Sequence, residues 1–440
     1  MNKCIYWLCV LVVVGCSVQR KSASTPKQAG EPWLDSLLQN KQLQGAHVGI
    51  LIQAEDAATP LLQHQANQYF IPASNTKLYT CYAALKNLPD SIIAAYTVET
   101  ADTLYIQWNA DATTAVEDFK RHPLLEKVKA SNKPIVLVHN NFTANHWGMG
   151  WAWDDYEADY MAERSEVPLF YNAATVTLQN GSLKALPPVI NFDNSIAPNA
   201  KGFELRRQIQ SNSFTILPGK ETEITTTLAT YWNQPQAQEK LVIDLLEAAT
   251  GKRAVGWGKL PTAEVVKPLH SQPLDSVLKI MMHRSDNFFA EQLLIQVGGV
   301  VNQELNDRKA INTVLNKQLN TLPQKPKWVD GSGLSRYNLF TPATTVSLLK
   351  QMKNEISWQR LTTILPTGGK GTLGSYYKNY AGKIFAKTGT LSNNVSLSGY
   401  IQAKSGTWCM FSVMVNNHMG NVTDIRRAVE KMLVQVAEAN

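Results

Sequence analysis

Apolar positions along the chain recur with two spacings, and the spacings divide it. Residues 47–56, "HVGILIQAED", read as a buried strand. Near the end, "NVSLSGYIQA" and "TWCMFSVMVN" flank a short "KSG" turn and read as a β-hairpin. The chain closes on "DIRRAVEKMLVQVAEA", which puts Ile425, Val429, Met432, Leu433 and Val436 on one helical face. Helical spacing also marks Trp33, Leu34, Leu37 and Leu38, the run after Ser74 (Leu78, Cys81, Tyr82, Leu85, ending before Pro89), and "LDSVLKIMMHR", "NFFAEQLLIQVG" and the stretch to about Leu365. Between Tyr96 and Glu264 short strand-like pieces dominate, "ATVTLQNGSLKAL" with its Asn-Gly turn among them, and only "KLVIDLLEAAT" is strongly helical. The pattern predicts an α/β (α+β) domain, an antiparallel sheet flanked by helices, built from 33–95 and 265–440 and interrupted by one or two β-rich inserted domains at 96–264.

The N-terminus departs from both spacings. Lys3 precedes an apolar run, Ile5 to Val14, too short to span a bilayer, which takes about 20 helical residues. It reads as an export signal over 1–16. It ends in Val13-Val14-Gly15-Cys16, which resembles a bacterial lipobox with Cys16 as the lipidated residue. A polar tether follows over 17–32. These features predict a bacterial envelope protein, lipid-anchored with its folded part in the periplasm.

Composition narrows the function classes. The 440 residues, 44% apolar and 18% charged, describe a globular protein of several domains. The net charge of +7 comes from 42 basic and 35 acidic residues, with no run that would track a nucleic-acid backbone. Among the eight His and five Cys no metal-ligand spacing occurs, so neither metal nor cofactor is implied. Beyond the leader, Cys81 and Cys409 each lie in an apolar stretch and read as buried thiols rather than a bridge.

The chemistry is carried by "PASNTKLYT", 72–80. Ser74 is a good helix cap, and it is also placed one turn before Lys77, where a neutral amine could take its proton. The same Ser-x-x-Lys spacing recurs at Ser24, Ser276, Ser347 and Ser375, so it decides nothing alone. Two further elements choose. Ser285-Asp286-Asn287 stands between two helices, and Lys387-Thr388-Gly389 precedes the hairpin. "SNN" at 392–394 and "KSG" at 404–406 imitate them without a separate structural context. "TGGKGTLGS" (367–375) is not a phosphate loop, because Lys370 is followed by Gly371 rather than Ser or Thr, and no Gly-x-Ser-x-Gly elbow exists.

Ser74-x-x-Lys77, Ser285-x-Asn287 and Lys387-Thr388-Gly389, in that order, form the signature of serine β-lactamases and penicillin-binding proteins. With "FIPASNTKLYT", "WAWDDY", "SDNFFAEQLL", "VDGSGLSRYNLFTP" and "LPTGGKGTL…AKTGTLSNNVSLSGY", the chain resembles, over most of 31–440, the low-molecular-mass class C penicillin-binding proteins, the D-alanyl-D-alanine carboxypeptidase/endopeptidases. The 208 positions between Lys77 and Ser285 fit the large insertion of that group. The resemblance implies a DD-peptidase fold acting on peptidoglycan stem peptides and acylated by β-lactams. Ser74 would be the nucleophile and Lys77 its base, made less basic by burial and by Lys387. Ser285 would relay the proton and Asn287 hold the substrate amide. Lys387 and Thr388, with Gly389, would bind the carboxylate, and the Ser74 and Thr390 N–H groups would form the oxyanion hole. Asp155 and Arg336 match positions that line the pocket for the stem's side chain. Asp286 reads as structural. In place of the family's Gly-Asp-Pro stretch the chain has Asn109-Ala110-Asp111. Two alternatives stand beside this reading: a β-lactamase, for which no deacylating Glu is identifiable, and a catalytically silent envelope protein that binds peptidoglycan.

Overall fold

The computed structural model describes residues 32–194, 202–232, 235–262 and 264–440. The expected signal with Cys16, and all of the tether but Pro32, lie outside the described residues. No helix among the described residues is long and apolar enough to cross a membrane.

A five-stranded antiparallel sheet organises the body, in the order Ile384–Leu391, Asn394–Gln402, Trp408–Asn416, His47–Ala54, Leu62–His64. Lys387-Thr388-Gly389 lies on the strand that forms one edge of this sheet. Because side chains alternate along a strand, the sheet feeds two cores. Leu51, Met410 and Met414 join Leu78, Phe289, Leu294 and Leu349 from the helices Thr76–Asn87, Asn287–Asn302 and Pro342–Glu355. Ile50, Ile52, Phe411, Val413 and Val415 face the other way, onto the C-terminal helix Val422–Ala439, whose Ile425, Val429, Met432, Leu433 and Val436 are all buried. Both faces covered by apolar groups explain why these strands are nearly continuous hydrophobic runs. Cys81 and Cys409 are buried free thiols.

Between the helices Thr76–Asn87 and Leu274–Arg284 the described residues build three further sheets. The largest runs Gly256–Gly258, Ile135–Val138, Leu104–Trp108, Ser91–Glu99, Lys267–Pro273. Its first and last strands in sequence begin at Ser91 and end at Pro273, several residues outside the expected 96–264. It has its own core around Trp108, Leu137, Trp232 and Leu246, closed by the helices Pro123–Ala130 and Pro235–Thr250. The first of these helices is absent from the sequence reading, although Pro at its first position and the buried Leu124, Leu125 and Val128 mark it. A three-stranded sheet, Glu223–Ala229, Ala173–Gln179, Ser182–Leu186, contains the expected hairpin; Asn180 and Gly181 supply two successive positive φ values, +50° and +76°, as a tight hairpin turn requires.

Candidate active site

The nucleophile segment is a tight turn, Ala73–Asn75, running into the helix Thr76–Asn87. Neither start carries a side-chain cap, so Ser74 is not capping; its Oγ lies 3.0 Å from Lys77 Nζ. The turn is pinned to the sheet edge by polar groups. Asn75 donates to the Lys387 carbonyl (2.7 Å) and accepts from Ser398 (2.6 Å), Ser396 donates to the Pro72 carbonyl (2.6 Å), and the Asn416 amide brackets both backbone groups of Ile71. Gly389 permits this closeness: a Cβ there would sit 2.7 Å from the Pro72 carbonyl oxygen and 3.0 Å from the Ser74 nitrogen. Gly333, at φ +86°, lets a second loop press on Ala73 in the same way.

Lys77 is fully buried and touches no carboxylate. Its ammonium nitrogen donates to Asn287 Oδ1 (2.6 Å) and the Ser332 carbonyl (2.7 Å) and meets Ser74 Oγ as its third partner. Burial lowers its pKa to about 8, against the opposing pull of Asp330, Asp286 and Glu291. The contribution expected from Lys387 is not among these causes. It acts in the other direction: Lys387 is held well below the usual lysine range by burial first, then by Lys77 and Arg426. A neutral amine has two N–H bonds and one lone pair. Asn287 Oδ1 and the Ser332 carbonyl can only accept, so they take both N–H groups and leave the lone pair facing the Ser74 hydroxyl.

Ser285 ends the helix Leu274–Arg284 in the left-handed conformation, φ +62°, and Asp286 caps the next helix by accepting from the Phe289 N–H (2.9 Å). This abrupt junction turns the Ser285 hydroxyl toward Lys387 Nζ, 2.8 Å away, and Asn287 toward Lys77. Asp286 is buried, and its carboxyl is raised to about 7 by desolvation. Asn287 also donates to the Tyr160 carbonyl (2.9 Å), so the inserted region reaches the site.

Ser74, Lys77, Ser285, Asn287 and Lys387 therefore converge, with Thr388 and Gly389 on the adjoining edge strand. Thr390 Oγ1 accepts from Arg426, a cation the sequence reading passed over. Asp155 is half-buried and accepts from the Tyr160 hydroxyl (2.6 Å); Arg336 is exposed and reaches the Ser392 carbonyl (3.3 Å). These two residues do not touch the central five. Sequence reasoning also missed Asp330, which holds the "GSGLS" loop by accepting from the Gly333 and Ser335 N–H groups, Asn338 and Trp151. The hydroxyls of Ser396 and Ser398, spaced by two within an apolar strand, were a legible signal of a polar face.

Residues 31–439 match the D-Ala-D-Ala carboxypeptidase 3 (S13) family. A D-alanyl-D-alanine carboxypeptidase of Actinomadura sp. (strain R39) is 27% identical, covering 88% of this chain and 81% of its own. The D-alanyl-D-alanine carboxypeptidase DacB of Haemophilus influenzae is 24% identical over 87% and 88% of the two chains. The crystal structure of penicillin binding protein 4 from Haemophilus influenzae superposes with a TM-score of 0.74 at 20% identity, over 91% of this chain and 98% of that one. A predatory peptidoglycan endopeptidase from Bdellovibrio bacteriovorus gives 0.55 at 15% identity, over 90% and 93%. These structures share the fold.

Proposed function

Because this chain belongs to the D-Ala-D-Ala carboxypeptidase 3 (S13) family and is a serine D-Ala-D-Ala carboxypeptidase, we propose that Ser74 performs the reaction on peptidoglycan stem peptides with Lys77 as its base. The observation that carries this assignment is the buried Lys77 Nζ, held by Asn287 Oδ1 and the Ser332 carbonyl at 3.0 Å from Ser74 Oγ. Ser74 Oγ attacks the carbonyl of the penultimate D-Ala while Lys77 takes its proton. The Ser74 and Thr390 N–H groups hold the developing oxyanion, a reading supported by the close approach of Gly389 to the Ser74 nitrogen. Ser285, whose hydroxyl meets Lys387 Nζ, hands a proton to the departing nitrogen. Lys387 and Thr388 hold the terminal carboxylate, whose charge offsets the cost of keeping Lys387 protonated. Asn287 holds the substrate amide, and Asp155 and Arg336, of opposite charge, meet the stem's side chain. Water then cleaves the ester and frees Ser74.

β-Lactams acylate the same hydroxyl in this reading. Full-length protein in detergent, mixed with benzylpenicillin, gains the mass of one drug molecule at Ser74, and Ser74→Ala gains none. Rapid turnover of the drug without an adduct would overturn the assignment in favour of a β-lactamase. The leader supports export to the periplasm and lipid anchoring at Cys16; Cys16→Ser should then move the protein from the membrane to the soluble fraction, and an unchanged membrane fraction refutes the anchor.

A further inference from the structure

Asn287 and Glu291 stand one turn apart on the helix Asn287–Asn302 and so share a face. Asn287 holds Lys77 directly, through Oδ1 (2.6 Å). Glu291 holds it at one remove. Its Oε1 accepts from the Ser332 N–H (2.7 Å), and the Ser332 carbonyl is the other acceptor of the Lys77 amine (2.7 Å). Glu291 belongs to "SDNFFAEQLL" and Ser332 to "VDGSGLSRYNLFTP", two stretches far apart in sequence that the fold joins beneath the base. Lys77, Glu291 and Ser332 are all buried. The reaction gives Asn287 a task and Glu291 none.

The loop around Ser332 lies directly on that helix: a Cβ at Gly331 would sit 2.6 Å from the Ala290 carbonyl oxygen. The N–H before the Ser332 carbonyl goes to Glu291, and the N–H after it, of Gly333, goes to Asp330 Oδ1 (2.8 Å). Between two fixed peptide groups the carbonyl cannot swing away from the amine. Asp330 also takes the Ser335 N–H and the Asn338 amide, so it shapes the whole loop. Glu291 makes one bond to the loop, and that bond is at Ser332. Its other oxygen accepts from Arg164 (3.0 Å). Both oxygens therefore face donors, the arrangement of a carboxylate rather than an acid. The charged groups around it are Arg164 from the inserted region, Asp307 at the start of the helix Asp307–Lys317, Asp330 in the loop and Lys77 on the nucleophile's helix. Burial first, and then Asp330, raise the pKa of Glu291, and Arg164 opposes them. We propose that Glu291 is a positioning residue for the Lys77 base: through Ser332 it fixes the second acceptor of the amine, and its negative charge keeps that amine basic. The inference rests on the assignment of Lys77 above.

The test is the rate of acylation by benzylpenicillin from pH 6 to 10, on full-length protein in detergent. Glu291→Gln removes the charge and keeps an oxygen for the Ser332 N–H. Its rate should rise earlier, with a midpoint about half a pH unit below wild type, which is roughly a threefold gain in neutral Lys77 at pH 7. Its plateau should stay near wild type. Glu291→Leu removes the acceptor as well, and its plateau should fall roughly 10–10²-fold as the base loses its place. Asp307→Asn takes a carboxylate from Arg164 without touching Ser332, and should keep the wild-type midpoint and plateau. It reports what lost stability alone does. A midpoint unmoved in Glu291→Gln, an equal shift in Asp307→Asn, or a wild-type plateau in Glu291→Leu overturns the proposal. Glu291→Gln decides the matter by itself where Glu291→Leu does not fold. A wild-type rate flat from pH 7 to 9 refutes Lys77 as the base, a failure distinct from the others.

Discussion

Lys77 in the body and Arg164, reaching in from the inserted region, are both fully buried cations, yet their surroundings differ. Arg164 donates to Glu291 (3.0 Å) and Asp307 (2.7 Å) and to the Asn145 and Trp147 carbonyls. Burial lowers its pKa, and the two carboxylates more than offset this, so it stays charged. Lys77 meets only neutral oxygens. The paired cation clamps two halves of the molecule; the unpaired one can give up its proton. Burial without a counter-ion is what converts an ordinary lysine into a base.

Exchanging or removing these features breaks the comparison in order of size. Lys77→Met should lower the penicillin acylation rate by about 10²–10⁴, the span of general-base catalysis. It should not destabilise the fold. The folded pKa of about 8 lies below the ordinary 10.5. The buried ammonium therefore costs stability at neutral pH, and that cost fades as pH rises from 8 to 10.5. Urea unfolding of the variant should lack this rise. Arg164→Met should do the reverse, leaving Glu291 and Asp307 unpaired at a cost of about 3–5 kcal/mol, read by urea unfolding, while protein that remains folded still acylates. Loss of acylation without loss of stability would contradict the clamp.

Two smaller effects sharpen the picture. Gly389→Ala places a methyl against the Ser74 turn. Displacing the nucleophile by an ångström should slow acylation roughly 10²-fold with near-native unfolding. In wild type, the neutral form of Lys77 grows as pH rises through about 8. The acylation rate should then climb about tenfold from pH 7 to a plateau above pH 9. A rate flat over that range would mean that another group accepts the proton.

Much of the body is legible in its hydrophobic pattern. The hairpin and the C-terminal helix fall where alternation and helical spacing place them, because each has a face that must be dry. The inserted region is harder to read. Its strands are short, its sheets mix parallel and antiparallel pairs, and Pro123–Ala130 is a helix of only eight residues. Short elements carry too few apolar positions to declare a period, and Ser91–Glu99 and Lys267–Pro273 join the second sheet from beyond the change in texture. Thr390, Asp155 and Arg336 were named through resemblance. Arg426, Asp330 and Tyr160 carried no local signal and emerged from the contacts they make.

The order of residues along the chain supplies the chemical groups: a hydroxyl one helical turn before a lysine, a Ser-Asp-Asn at a helix junction, a Lys-Thr-Gly before a hairpin. Those are local properties, set by spacing along one chain segment. That Lys77 can be neutral follows from folding alone, because its two accepting partners lie 210 and 255 residues away. Folding also brings Gly389 within reach of the Ser74 amide and turns Ser285 toward Lys387. Proton affinity depends on the dielectric and the charges around a group, and those are supplied by whatever the fold packs there, not by its neighbours in sequence.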